Sequence, residues 1–309
     1  MKEMRHFGWK ELGLISMMAL AFFSSCKKEI DFDYNEIAPL VMIEGRVTNE
    51  GSEVLITKTR NVTDSVKNPC LTGAEVQIQG EGVTVTLPYD AAARRYRSSF
   101  CGKPGQTYRL SINFEGRHYE ATSTMPSPAP VKSTEFIWQS ILNERLVMFE
   151  MWAVDPEPDV RNYYWYRMDR ISRHPHFDKK PITDAYRWNV FDDRGCPPGL
   201  IFRDITCMSE RAAEEDKEEN WKSILYEGDT LTFQLMTIDL PTYDFFRSLR
   251  SGQSGGANPI GNIVSSAVGT AGASSSASSS VESCLGYFTA TSITRSDTIV
   301  FHFSDVKER

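Results

Sequence analysis

From Leu40 onward the chain alternates apolar and polar residues in short runs, and turn-forming residues separate one run from the next. A period of two places successive side chains on opposite faces of an extended backbone, so each run reads as a strand with one buried and one wet face. LVMIEGRVT and SEVLITKTR flank a turn at Asn49-Glu50-Gly51, and AEVQIQG and GVTVTLPY alternate strictly. RRYRSSF, TYRLSINF and RHYEATSTM follow, with Phe114-Glu115-Gly116-Arg117 as a hairpin turn between the last two. These strands, with no helix between 39 and 125, predict a β-sandwich of immunoglobulin or fibronectin type. The Cys–Trp–Cys arrangement of antibody domains is missing, so the prediction concerns shape alone.

PSPAPVK (Pro126–Lys132) then stiffens the chain, and a linker is expected at 126–133. Beyond it a second β-rich domain is expected over 134–309. RLVMFEMWAV, NYYWYRMDRIS and LTFQLMTID read as its strands, TYDFFRSLRS as one short helix, and GYFTATSIT with DTIVFHF as a closing hairpin. Residues 264–283 are nearly all Ser, Ala and Gly, bury too little apolar surface to order themselves, and are expected to form a flexible loop. The fold class expected is mainly β throughout.

The N-terminal residues depart from this alternation. Lys2, Arg5 and Lys10 precede the uncharged run Leu12–Phe23, which is too short to span a bilayer but has the length of a secretory h-region. Ser24 and Ser25 offer little bulk beside Cys26, the arrangement at which bacterial lipoproteins are cut and their cysteine acylated. Residues 1–25 are therefore expected to be a lipoprotein signal peptide, Cys26 the lipidated mature N-terminus, and 26–38 a tether. Two or three acyl chains hold firmly, since each buried CH₂ contributes about 0.8 kcal/mol. KKEIDFD after Cys26 is similar to the charged tag that carries some lipoproteins to the outer face of the outer membrane, so the address expected is the cell surface.

Charge narrows the partners. A formal net charge of −7 argues against nucleic acid, whose phosphates require a basic face. An exported chain can oxidise its thiols. Five cysteines remain besides Cys26, an odd number, so at least one is unpaired or pairs between molecules and two bridges allow 15 arrangements; Cys70 with Cys101, and after it Cys196 with Cys207, are the pairings expected first.

Several stretches together carry a family resemblance: CKKEIDFDYNEIAPLVMIEGRVTNE, LTGAEVQI, GKPGQTYRLSINFEGRHYEATSTMPSPAPV and NPIGNI…CLGYFTATS. They resemble the Bacteroidetes outer-membrane lipoproteins called domain of unknown function 4249, over essentially the whole mature chain. The resemblance implies a cell-surface accessory that works beside an outer-membrane TonB-dependent transporter. It implies no catalytic residue and no cofactor. The long Ser/Ala tract before Cys284 departs from the family pattern.

Candidate chemistry is sparse. Ser254, within GQSGG, fits the G-x-S-x-G pattern, but that motif needs a strand entering and a helix leaving it. His174 and His176 share a face only if HPHF is extended, and zinc needs three or four protein ligands. Asp155, Glu157 and Asp159 sit in a proline-stiffened turn with fewer oxygens than calcium takes. Asp64-Ser65 fits an O-glycosylation sequon. Tyr164, Trp165 and Tyr166 are the candidate ligand platform, because aromatic rings offer flat apolar faces with polar tips. The function expected is thus a non-enzymatic surface lipoprotein assisting a TonB-dependent transporter in ligand capture or gating. Its rivals are a structural or adhesive surface protein and, behind that, a surface hydrolase.

Overall fold

The computed structural model describes residues 39–60, 70–172, 182–214, 221–252, 260–267 and 282–309. The alternating runs at the start form β1 (Val41–Thr48), β2 (Gly51–Lys58), β3 (Glu75–Gly80), β4 (Val83–Thr86), β5 (Tyr89–Asp90), β6 (Arg95–Ser98), β7 (Thr107–Phe114) and β8 (Arg117–Thr124). Phe114 pairs with Arg117, so Glu115 and Gly116 make a two-residue hairpin loop, both at positive φ (48° and 73°). After the proline-rich segment come β9 (Val131–Ile141), β10 (Glu144–Val154), β11 (Tyr163–Ser172), β12 (Ile182–Asp192) and β13 (Leu200–Ser209), then the short helix α1 (Glu210–Glu214). The chain continues through β14 (Thr230–Ile238), α2 (Leu240–Gly252), β15 (Ile260–Ala267), β16 (Glu282–Arg295), β17 (Ile299–Val300) and β18 (Lys307–Glu308). The protein is mainly β, as its alternation predicts.

Two bodies of sheet result. In the first, the strands run in the order β4-β3-β7-β8-β15-β16-β1-β2-β6-β5. Val76, Ile78, Leu110 and Ile112 from one end share a core with Ile43, Val54, Ile56 and Tyr96 from the other, so the path folds over on itself as a sandwich. In the second, β13-β10-β9-β18 faces β12-β11-β14, and the core between them holds Phe149, Met151, Tyr164, Tyr166, Phe233 and Ile205.

The domain division expected from the linker is cut across by the chain's return. β15 pairs with β8 (Val264 with Glu120 through Ala267 with Arg117), and Leu285–Thr291 of β16 runs parallel to Met42–Thr48 of β1. The same strand then leaves the first body: Ser292–Arg295 pairs antiparallel with Gln234–Thr237 of β14. GYFTATS is therefore not the arm of a closing hairpin in a separate 134–309 domain. The open edges of β1 and β8 needed partners, and the late strands supply them. For the same reason 264–267 and 282–283, expected within the flexible loop, are strand; 268–281 lies outside the described residues. The Asn262 side chain ties the seam, donating to Thr122 O (3.0 Å) and Phe288 O (2.8 Å) and accepting from Phe288 N (2.9 Å).

α2 covers the expected TYDFFRSLRS and begins two residues before it, at Leu240. Asp239 caps it, with Oδ1 accepting the Thr242 amide at 3.1 Å, and Pro241 falls in the first turn, where no N–H is required. Its Tyr243, Phe245 and Phe246 pack on Trp165 and Met236 of the second body and on Tyr287 of β16.

Candidate functional site

β1, β2 and β6 turn Ile43, Val47, Val54, Ile56 and Tyr96 inward. Their alternate residues face outward: Met42, Glu44, Arg46 and Thr48 on β1, Glu53, Leu55 and Thr57 on β2, Arg95 and Arg97 on β6. The register sets Glu44 between Leu55 and Tyr287, and Arg46 opposite Glu53. On an isolated sandwich this row would meet open water. Here β11, α2 and β16 wall it in, and Trp165, Arg167, Phe246 and Tyr287 close a cavity of ≈ 260 Å³ over Glu44, Arg46, Glu53, Leu55 and Arg95.

The cavity continues both ways. A space of ≈ 430 Å³ shares Glu44, Leu55 and Arg95 and adds Met42, Thr57 and Arg94. Another of ≈ 250 Å³ shares Arg46 and Glu53 and adds Glu50, Arg97, Gln234 and Arg295. Together they form a groove along β1 from Met42 to Thr48, about 20 Å at roughly 3.3 Å per residue.

Arginine dominates its chemistry. Arg46 and Arg95 both hold Glu53 Oε1, Arg95 at 2.8 Å. Burial pushes the Glu53 carboxyl up, but the two guanidiniums outweigh it and hold the group below the usual range. Glu44 is different: burial raises it, and the charges of Arg95 and Arg46 take back only part. Burial also lifts the Tyr287 phenol, with the Glu44 charge adding to it. Further along, Arg295 grips Glu50 through Nε at 2.6 Å and Nη2 at 2.5 Å, and that hydrogen bonding holds Glu50 low. Arg167 Nε donates to Asp169 at 2.6 Å, and Gln234 fixes the other Asp169 oxygen at 2.8 Å. Walled guanidiniums recognise anions through short, charge-assisted hydrogen bonds. Two of them sharing one carboxylate oxygen keep N–H groups to spare.

Tyr164, Trp165 and Tyr166 do not form an exposed platform. All three are buried, because β11 lies between β12 and β14 and is covered on both faces. Tyr164 and Tyr166 enter the core of the second body, whereas Trp165 packs at a tilt against Phe246, ring centroids 4.5 Å apart, and gives the groove part of its wall. The expected disulfides are absent too. Cys70, Cys101, Cys196, Cys207 and Cys284 are free thiols, and each Sγ faces a backbone carbonyl; Cys207 and Cys284 are buried as core residues, which pushes Cys284 up to about 11 and Cys207 up to about 12. Asp155 serves its own turn, accepting from Glu157 N (3.0 Å) and Asn162 Nδ2 (3.2 Å). Cys26, Asp64-Ser65, His174, His176 and Ser254 lie outside the described residues.

Sequence reasoning passed over Glu44, Arg46, Glu53 and Arg95, since alternating charges on a strand look like a solvated face. The available signal was Glu44-x-Arg46 directly opposite Glu53, but nothing in the sequence shows that α2 folds across them. A family model described as "Domain of unknown function (DUF4249)" matches residues 27–297. No curated protein matches the chain.

Proposed function

Because the chain belongs to the DUF4249 family, whose description carries no activity, we propose its function from the groove. The protein is a non-enzymatic accessory lipoprotein, anchored in the outer membrane through Cys26 and displayed at the cell surface. There it assists a TonB-dependent transporter by capturing a ligand or gating its entry. The observation that carries the binding role is the walled row of guanidiniums over Glu44 and Glu53, whose donors and aromatic wall suit recognition. The leader, the cysteine and the charged tag support the address.

The test is a mild-detergent pull-down from outer membranes followed by mass spectrometry. It compares wild type, Cys26→Ala, Ser254→Ala and the Arg46→Gln/Arg95→Gln double variant, with growth measured for each. Wild type should bring down a barrel protein, and Cys26→Ala should not. The double variant should lose either the barrel or growth on the nutrient that barrel imports. Self-association of wild type with no barrel would favour the structural or adhesive rival. A growth defect confined to Ser254→Ala would favour the hydrolase.

A further inference from the structure

We propose that the groove takes an extended acidic peptide whose carboxylates fall at alternate positions; this rests on the reading of the groove as a binding site. The shape comes first. Three cavities joined through shared residues follow one strand for about 20 Å, the length of roughly six extended residues and far longer than a single small anion requires.

Charge comes second. The three cavities are lined by Arg46, Arg94, Arg95, Arg97, Arg167 and Arg295 against Glu44, Glu50 and Glu53. Asp90 and Asp169 hold Arg97 and Arg167 from the side. Even with these two counted, arginines outnumber carboxylates, on a chain whose net charge is −7. A basic cleft with low-dielectric walls concentrates anions that the rest of the surface repels. Arg94 is exposed and makes no ion pair among the described residues, so one end of the groove has a guanidinium in reserve.

Spacing comes third and selects among anions. Arg95 and Arg97 lie two apart on one face of β6, roughly 6.6 Å along the strand, which is the pitch at which an extended peptide presents every second side chain. Glu44 and Glu53 stand in the floor between the arginines. A polymer charged at every unit would set some of its charges against them. A peptide with acidic residues alternating with neutral ones would not, and its backbone N–H groups and serine hydroxyls can donate to Glu44.

The experiment uses the full-length protein in detergent and fluorescence anisotropy with dye-labelled hexapeptides. The probes are Asp-Ser-Asp-Ser-Asp-Ser, its block isomer Asp-Asp-Asp-Ser-Ser-Ser, the neutral Asn-Ser-Asn-Ser-Asn-Ser, and an oligogalacturonate of similar length. The alternating peptide should bind at least tenfold tighter than the other three, and more weakly as salt rises. Arg95→Gln/Arg97→Gln should weaken it at least tenfold with an unchanged circular dichroism spectrum. If that pair fails to fold, the exposed Arg94→Gln carries the test and should weaken binding at least threefold. Equal binding of the block isomer would overturn the spacing argument, and equal binding of the neutral peptide would overturn the charge argument. Preference for the oligogalacturonate would overturn the peptide class and leave the groove standing as a binding site. If no probe binds, the peptide proposal falls; if the Arg46→Gln/Arg95→Gln variant also keeps transporter association and growth, the site itself falls with it.

Discussion

Gly286 lies where β16 runs parallel to β1, opposite Ile43, and its backbone adopts φ +111°. A Cβ there would stand 2.6 Å from the Ile43 carbonyl carbon and 2.8 Å from its nitrogen, and nearer still to its oxygen. Gly286→Ala must therefore either rotate φ and lose the pairing or push β1 away. The backbone strain is worth about 1–3 kcal/mol, and overpacking against a core strand about 1–3 kcal/mol more. Gly116→Ala isolates the first effect, because that glycine also has positive φ (+73°) but a Cβ on it would meet nothing within 4 Å. The difference between the variants should be about 2 kcal/mol. With a urea m-value of about 2–3 kcal/mol/M, the unfolding midpoint of Gly286→Ala should fall a little under about 1 M below that of Gly116→Ala. Tryptophan fluorescence in a urea titration reads it. Coincident midpoints would refute the close parallel pairing of β1 and β16.

Cys26→Ala should abolish incorporation of labelled fatty acid and release the protein from the membrane fraction; unchanged labelling would rule the cysteine out as the anchor. Deleting Gly269–Ser280 should leave the melting temperature unchanged or slightly higher, since Ser265 already pairs with Glu282 and each halving of a loop's length favours closure by about 0.6 kcal/mol; a fall of several degrees would count against it. Burial lifts the Asp239 carboxyl above its ordinary 3.8, against hydrogen bonds from Ser123 (2.5 Å) and Thr242. The folded chain thus holds that proton more tightly than the unfolded one, and the associated stability is complete below 3.8 and lost as pH rises through the raised folded value. Asp239→Asn cannot ionise, so its melting temperature should gain on wild type as pH rises above the ordinary 3.8; a gap that does not change with pH would refute the assignment.

The strands of the first sandwich were legible because each buries one face, so β1, β2, β7 and β8 announce themselves by alternation. The Glu115-Gly116 turn and α2 were legible too, from turn chemistry and from aromatic spacing. β15 was not, because Gly261, Asn262 and Ser265 carry no apolar signal; that strand exists to satisfy the edge of β8. Tyr164 to Tyr166 misled for a related reason. The first residues of β11 are aromatic on both faces, and an aromatic run cannot say whether its second face meets solvent or a helix. The groove needed knowledge that no single strand holds, namely that α2 and β11 would roof the charged face of β1 and β2.

The position of β16 also sets an order of events. Phe288 and Ala290 belong to the first core, yet their partner strand β1 precedes them by more than two hundred residues. In chain order, β1 has only β2 beside it and β8 shows a bare edge until nearly everything else is present. Contacts so distant in sequence form slowly, since the intervening loop must close before they repay its entropy. A chain truncated before Leu285 would leave β1 without its parallel partner and the outer edge of β15 bare, and unpaired edges recruit other chains. Completion of the first sandwich is in effect a proofreading step on the length of the message.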